Sequence, residues 1–190
     1  NLTPDKKSTV GWQIRNFNPS MTKYVSFNIE KINHLILDKK IDLPEEQIIK
    51  MNTLSLFFGI FYTDFSKTTT IFEGPIDSFF IKNSVAVAGI QERSQQLFSG
   101  NQQKQIERLF LMQPTWVLDS QWQDSASRMK SEILLNQGAC VFLWPRDLGK
   151  QFKDINDLCV KFKIDQLGSE FIQKNTYCGL QGIVKLKQIR

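Results

Sequence analysis

Two carboxylates lie on either side of a Gly-Pro turn where a strand should give way to a helix. Glu73 precedes Gly74 and Pro75, and Asp77 follows Glu73 by four residues. Residues 68–72 are β-branched or apolar, which favours a buried strand, and Pro75 suits the first position of a helix because its missing N–H is not needed there. Both carboxylates would then reach the crevice at the carboxyl end of the strand, where open α/β sheets bind their ligands. The spacing predicts a site for a divalent cation.

The same spacing has an ordinary explanation, because an acidic residue in the first turn of a helix also interacts favourably with the helix dipole. Further carboxylates favour the cation site. The strand-like run 115–118 ends at Asp119, and Asp154 opens a helix-like run that also contains Asp157. Acidic side chains therefore recur at the ends of successive predicted elements.

The elements that must position these carboxylates alternate between strands and helices. Short apolar runs predict four strands, at 68–72, 85–88, 115–118 and 139–144. Apolar residues spaced by three and four predict helices over 125–137 and from 153 onward. The stretch 91–113 contains two helix-like pieces separated at Gly100. This alternation indicates an α/β fold.

In this order the acidic residues resemble the Toprim domain that topoisomerases, bacterial-type primases and some nucleases share. In that family a Glu-Gly-x-x-Asp element follows the first strand, an Asp-x-Asp element follows the third, and a further acidic pair lies after the fourth. Glu73 and Asp77 match the first element, Asp119 matches the start of the second, and Asp154 matches the start of the last. The resemblance implies a Toprim fold, a roughly four-stranded and mainly parallel sheet flanked by helices, with an N-terminal α+β segment.

Two positions depart from the Toprim pattern. Gln121 stands at the second aspartate of Asp-x-Asp, and Asn156 stands at the corresponding place in the last pair, with Asp157 beside it as a substitute ligand. Fewer anionic ligands weaken the binding of a hard cation such as Mg²⁺. Asp124 lies five residues after Asp119, and we expect it to cap the following helix instead of replacing the missing carboxylate.

Segments outside the acidic core resemble DNA primases of the bacterial and phage type. Residues 10–15, followed by Lys23 and Tyr24, are similar to the primase segment in which an Arg and a Lys-Tyr pair face nucleic acid or nucleotide. Residues 54–59 resemble the approach to the first Toprim strand. Residues 175–180, followed by a Lys-rich and strand-like tail, are similar to the terminus of T-even-type phage primases. The resemblance thus spans nearly the whole chain.

The resemblance implies an enzyme that synthesises short RNA primers on single-stranded DNA by metal-dependent nucleotidyl transfer. Its implied partners are the DNA template, ribonucleoside triphosphates and a replicative helicase, and its implied cofactor is Mg²⁺ or Mn²⁺. Two other functions use the same residues: a Toprim nuclease, and a catalytically weakened Toprim protein that only binds nucleic acid or a replication partner. The implied roles are catalysis for Glu73, Asp77 and Asp119; metal ligation for Glu73, Asp119, Asp154 and Asp157; and contact with nucleic acid or nucleotide for Arg15, Lys23 and Tyr24.

Composition and charge indicate a folded chain with an apolar core and basic terminal segments. Of the 190 residues 41% are hydrophobic and 12% aromatic, which is enough apolar material for a core and argues against disorder. No apolar run approaches the roughly 20 residues that span a bilayer, so no membrane partner is expected. Lys and Arg against Asp and Glu number 9 to 7 over 1–67, 6 to 7 over 68–145 and 9 to 5 over 146–190. Basic flanks suit a nucleic-acid backbone, although the C-terminal lysines also fit a solvated tail.

The cysteines bear on the cellular compartment, and the order of the predicted elements bears on the segment boundaries. Cys140, Cys159 and Cys178 are far apart and lack the paired spacing of a zinc ribbon. We interpret all three as buried thiols in a reducing compartment, which predicts a cytoplasmic location, in the host cytoplasm if the chain is viral. We predict an N-terminal segment over 1–67, a Toprim domain over 68–165 and a C-terminal appendage over 166–190.

Overall fold

The computed structural model describes residues 11–18, 20–21, 24–38, 43–87, 110 and 112–189. The N-terminal part begins with two antiparallel strands, β1 (Gly11–Arg15) and β2 (Tyr24–Asn28), which pair from Gly11 opposite Asn28 to Arg15 opposite Tyr24. Helix α1 (Ile29–Ile32), a π-helical turn (Asn33–Leu37), helix α2 (Glu45–Ser55) and a 3₁₀ turn (Ile60–Tyr62) follow. The segment is therefore a mixture of strands and helices, as predicted.

The centre of the molecule is a five-stranded sheet. Its strands in chain order are β3 (Thr70–Phe72), β4 (Ser84–Ala86), β5 (Thr115–Val117), β6 (Cys140–Phe142) and β7 (Thr176–Cys178). Their spatial order is β4-β3-β5-β6-β7, in which the first four strands are parallel and β7 runs antiparallel to β6. An α/β fold with a mainly parallel sheet is confirmed. The antiparallel fifth strand was not predicted.

Helices connect and cover the strands of this sheet. They are α3 (Pro75–Ser78), α4 (Ser125–Asn136), α5 (Arg146–Gly149), α6 (Ile155–Phe162), α7 (Ser169–Lys174) and α8 (Gly179–Lys187). The two helices predicted over 125–137 and from 153 onward are confirmed as α4 and α6. The helical pieces predicted within 91–113 fall almost entirely outside the described residues. In the part of the chain that is described, no helix is long and apolar enough to cross a membrane.

The expectation of a strand-like C-terminal tail is wrong, because residues 179–187 form helix α8. The alternation of Val184, Lys185, Leu186 and Lys187 is typical of a half-buried strand. The position of Gly182 instead favours a helix packed closely on α4: a Cβ atom there would lie 2.2 Å from a methyl carbon of Leu135. Close packing of two helices therefore overrides the local alternation.

Both faces of the sheet are buried, and successive strand residues enter opposite cores. Ile71, Trp116 and Val141 pack in one core with residues of α2, α4 and α8. Their neighbours Phe72, Val117 and Phe142 pack in the other core with residues of α6 and α7. Side chains alternate across a strand, so burial of both faces requires the continuous apolar runs seen in the sequence. The carboxyl ends of β3 and β5 are thereby fixed side by side.

Cys140 and Cys178 form a disulfide between β6 and β7, where they are directly opposite each other. The interpretation of all three cysteines as buried thiols is therefore wrong for this pair. The two residues are 38 positions apart in the sequence, and only the pairing of β7 with β6 brings them together. Cys159 is free and buried. A reducing compartment no longer follows from the cysteines.

Reduction of the disulfide is expected to lower the free energy of unfolding by about 3 kcal/mol, because the bond closes a long loop in the unfolded chain. Urea unfolding with and without dithiothreitol measures the difference, and the Cys159→Ala variant should respond to the reductant as the wild type does. Titration of the denatured, unreduced chain should find a single thiol. Three reactive thiols, or a midpoint that ignores the reductant, would contradict the pairing.

Candidate active site

The predicted transition from strand to helix around the Gly-Pro turn is confirmed. Glu73 directly follows β3, and its backbone N–H donates to the carbonyl of Val117 on β5 at 3.3 Å. Pro75 is the first residue of α3, and Asp77 lies in the first turn. A Cβ atom on Gly74 would lie 2.6 Å from a carboxylate oxygen of Asp77. Glycine at position 74 therefore leaves room for the Asp77 carboxylate beside the turn.

Asp77 connects this turn to the start of α6. Its Oδ1 accepts a hydrogen bond of 2.9 Å from the backbone N–H of Asn156. Burial, followed by the charge of Asp154, raises the pKa of Asp77 to about 7, and Asp119 adds to the effect. The same carboxylate contributes, after burial, to raising the pKa of Cys159 to about 11, so that this thiol stays protonated. Asp77 is therefore an acid whose charge is poorly compensated in the folded chain.

Asp119 lies after β5 and is paired with a lysine. The Nζ atom of Lys153 is 3.3 Å from its Oδ2. Burial raises the pKa of Asp119, and the charge of Asp154 adds to this rise. The nearby Lys153 ammonium lowers the pKa but does not cancel the effect of burial. A hydrogen bond of 2.7 Å from the Ser120 N–H to the carbonyl of Lys153 ties the two segments together. Asp119 and the start of α6 are consequently held as neighbours.

Asp154 and Asp157 have different environments although both belong to the start of α6. Asp154 caps this helix, and its Oδ1 accepts a hydrogen bond of 2.7 Å from the Asp157 N–H. The side chain of Asp157 is exposed. Because Asp154 acts on the pKa values of both Asp77 and Asp119, these three carboxylates share one electrostatic environment at the carboxyl end of the sheet. Asp157 lies at its margin.

Gln121 is part of the core, and its side-chain amide bonds to residues of β6, α4 and the segment after β6. Only 3% of the residue is exposed. Its Nε2 donates to the carbonyl of Phe142 at 3.1 Å and to the hydroxyl of Ser131 at 3.0 Å, and its Oε1 accepts from the Trp144 N–H at 3.2 Å. The amide therefore joins the end of β5 to β6 and α4. The second departure, Asn156, contributes its backbone N–H to Asp77.

Asp124 caps α4, as predicted. One carboxylate oxygen accepts from the N–H groups of Ala126 at 2.8 Å and Ser127 at 3.2 Å.

Lys153, which pairs with Asp119, was not predicted from the sequence as a residue of the site. In the sequence Lys153 is distinguished only by its position directly before Asp154. Such a pair of a basic and an acidic residue is common at the solvated start of a helix.

The residues predicted to contact nucleic acid are only partly described. Arg15 ends β1, and its guanidinium lies 5.5 Å from the ring centroid of Phe17. Tyr24 begins β2 opposite Arg15, and its side chain lies outside the described part of the chain. Lys23 also lies outside the described residues. Arg15 and Tyr24 are thus adjacent on one end of the two-stranded sheet.

The chemistry of the donor set suits a hard cation. Within the described residues, no three acidic, His or Cys side chains are grouped closely enough to hold a metal ion by themselves. The carboxylate oxygens of Asp77, Asp119 and Asp154 are nevertheless partly buried and mutually repulsive. An added divalent cation would relieve this repulsion, and carboxylate oxygen is the ligand that Mg²⁺ prefers.

No protein-family model matches the chain, and no curated protein matches it.

Proposed function

We propose that the chain is a Toprim-type DNA primase that synthesises short RNA primers on single-stranded DNA by metal-dependent nucleotidyl transfer. The observation that carries the proposal is the environment shared by Asp77, Asp119 and Asp154 at the carboxyl end of adjacent parallel strands. Burial raises the pKa values of Asp77 and Asp119, and carboxyl groups with such shifts cluster at functional sites. The proposed setting is replication in the cytoplasm, of a host cell if the chain is viral.

The proposed metal is Mg²⁺ or Mn²⁺, and the residues that would hold it are Glu73, Asp119, Asp154 and Asp157. When bound, such an ion lowers the pKa of an attacking 3′-hydroxyl and stabilises charge on the leaving pyrophosphate. The short transition from β3 to α3 fixes Glu73 next to the end of β5. A negative crevice alone would repel triphosphate, so a cation is required for substrate to approach.

Asp77 and Lys153 have separate roles in the proposal. A carboxyl with a pKa of about 7 can exchange a proton near neutral pH, which suits Asp77 to assist proton removal from the hydroxyl. The Lys153 side chain is about half exposed, at 52%. It can therefore turn from Asp119 toward a triphosphate oxygen when a cation neutralises Asp119.

The proposed template and nucleotide contacts lie on the N-terminal strands. Arg15 and Lys23 would neutralise phosphates, and Tyr24 would stack on a base. The proposed partners are single-stranded DNA, ribonucleoside triphosphates and a replicative helicase.

One observation favours a second function, a Toprim protein that binds nucleic acid without catalysis. Lys153 already pairs with Asp119 and supplies a positive charge where the proposal requires a metal. A lysine that stays in this position would reduce the affinity for a cation, since two cations repel each other. A nuclease would use the same carboxylates and differs from a primase only in its product.

Primer synthesis on mixed-sequence single-stranded DNA tests the proposal. Labelled ribonucleotides are supplied with Mg²⁺ or Mn²⁺, with and without a replicative helicase. We expect short RNA products that EDTA abolishes and that Glu73→Gln reduces at least about 100-fold. Glu132→Gln is the matched control because Glu132 is exposed on α4.

The products distinguish the alternatives. Shortened DNA without RNA would establish the nuclease instead. Retained DNA binding without either product, in the presence of the helicase, would favour the non-catalytic protein. Equal RNA synthesis by the wild type and Glu73→Gln would contradict the assigned site.

A further inference from the structure

A cavity lies at the carboxyl end of β6. This cavity of about 540 Å³ is formed by the segment after β6, by β7 and by the end of α8. Its volume falls within the roughly 300–1,000 Å³ that small-molecule pockets occupy. Asp77, Asp119 and Asp154 are not among its lining residues. The cavity, which we call the β6 pocket, is therefore separate from the carboxylates.

Aromatic rings in fixed orientations line the β6 pocket. The indole N–H of Trp122 donates to the carbonyl of Trp144 at 2.8 Å, and the indole N–H of Trp144 donates to the carbonyl of Leu118 at 3.1 Å. Trp122 and Tyr177 are half-buried, whereas Trp144 is buried. Hydrogen bonds thus hold the indoles in place before any ligand arrives, and Trp122 and Tyr177 offer partly open rings for stacking.

Positive charge surrounds these rings. Arg146 and Lys185 line the pocket and are exposed, and the Lys150 ammonium lies 5.4 Å from the ring centroid of Trp122. Within residues 112–189, neither Arg146 nor Lys185 forms an ion pair with a carboxylate. The acidic neighbour Asp147 is exposed and does not line the pocket. The two cations are therefore available for an anion.

We propose that the β6 pocket binds an unpaired nucleobase together with its phosphate. The base stacks on Trp122 or Tyr177, its polar edge meets the Gln188 amide, and the phosphate is neutralised by Arg146 and Lys185. Stacking is tolerant of base identity because every base has a π-face, and Arg and Lys are the side chains that bind phosphate. This function goes beyond the proposed nucleotidyl transfer and requires neither its carboxylates nor a metal.

Binding in EDTA tests the inference separately from catalysis. Tryptophan fluorescence is followed in a Trp12→Phe background, so that emission comes from Trp116, Trp122 and Trp144, while a short oligothymidylate is added. We expect quenching, and at least a tenfold weaker affinity when Arg146 and Lys185 are both changed to Gln. The magnitude of the slope of log affinity against log salt should fall by about 0.7, because Arg146 and Lys185 together neutralise one phosphate of a single strand.

The matched control is the double variant Lys161→Gln and Lys174→Gln, which removes the same charge from exposed positions outside the pocket. It should weaken binding less than twofold. An equal loss in both double variants, or no quenching by the wild type, would overturn the proposal. Tyr177→Leu, checked for folding by circular dichroism, should weaken binding about fivefold or more if Tyr177 stacks on the base.

The source of the base is resolved by a second titration with a ribonucleoside monophosphate. Saturable binding that the Arg146 and Lys185 variant loses would identify a free-nucleotide site, whereas binding of the oligonucleotide alone would identify a site for a strand. Both outcomes support the shared chemistry. The assay contains EDTA and follows residues that do not include the carboxylates, so a failed primase proposal would leave the result for the β6 pocket unchanged.

Discussion

Replacement of Asp77 by Asn is expected to stabilise the fold while reducing the proposed primer synthesis about 100-fold or more. The pKa of Asp77 is raised from 3.8 to about 7 in the folded chain. Unfolding therefore releases a proton from Asp77 between about pH 4 and pH 7. The charged Asp77 carboxylate lowers the free energy of unfolding, and this destabilisation is absent below pH 4, grows as the pH rises and is complete above pH 7. At pH 8 this cost is on the order of 3 kcal/mol, from about 1.4 kcal/mol per pKa unit with a discount for partial solvation.

Asn keeps the shape of Asp and an oxygen that can accept from the Asn156 N–H, so the variant removes mainly the charge. Urea unfolding at pH 8 and pH 4 without metal measures the effect, and the advantage of Asp77→Asn should vanish at pH 4. Asp165→Asn is the control because Asp165 is exposed, and it should leave stability unchanged at both pH values. A variant no more stable than the wild type at pH 8 would contradict the raised pKa.

Added Mg²⁺ provides the second half of the Asp77 experiment. A cation that binds only the folded chain stabilises it by mass action. We expect Mg²⁺ to raise the stability of the wild type at pH 8 and to have a clearly smaller effect on Asp77→Asn. An equal response from both proteins would show that the charge of Asp77 does not act on the bound cation.

Replacement of Gln121 by Asp is expected to lower the free energy of unfolding by about 3 kcal/mol or more and to bring no gain of activity. The shorter carboxylate cannot donate, so the hydrogen bonds from the Gln121 amide to the Phe142 carbonyl and the Ser131 hydroxyl would be lost. A charge would also be buried where a neutral group now has three hydrogen bonds. Restoring the Toprim pattern at this position therefore damages the core.

Urea unfolding at pH 8 measures the cost of Gln121→Asp, and primer synthesis is assayed on the same preparation. Gln173→Asp, on the exposed side of α7, is the matched control and should change stability by less than about 0.5 kcal/mol. A stable Gln121→Asp variant with a large gain of metal-dependent synthesis would show instead that position 121 can reach the carboxylates.

Features that depend on neighbouring residues were predictable from the sequence. The turn between β3 and α3 requires only Glu73, Gly74, Pro75 and Asp77. The strands appear in the sequence as continuous apolar runs because both faces of the sheet are covered. Asp124 was predictable as a helix cap for the same reason, since a cap contacts the backbone two and three residues ahead.

Features that depend on distant pairing could not be predicted in the same way. Strand β7 joins the sheet antiparallel to β6, and only this pairing places Cys178 opposite Cys140. The contact of Lys153 with Asp119 joins two segments whose distance is set by the sheet and by α6. The direction of Gln121 depends on core space between β6 and α4, which no local pattern encodes.

The hydrogen bond from the Asn156 amide to Asp77 provides a spectroscopic view of the site. An amide proton that donates to a carboxylate changes its NMR chemical shift when that carboxylate is protonated or binds a cation. The shift of Asn156 should therefore titrate near pH 7, with the pKa of Asp77, and respond to Mg²⁺. One backbone resonance at the start of α6 can thus report the charge of the site without substrate or catalytic turnover.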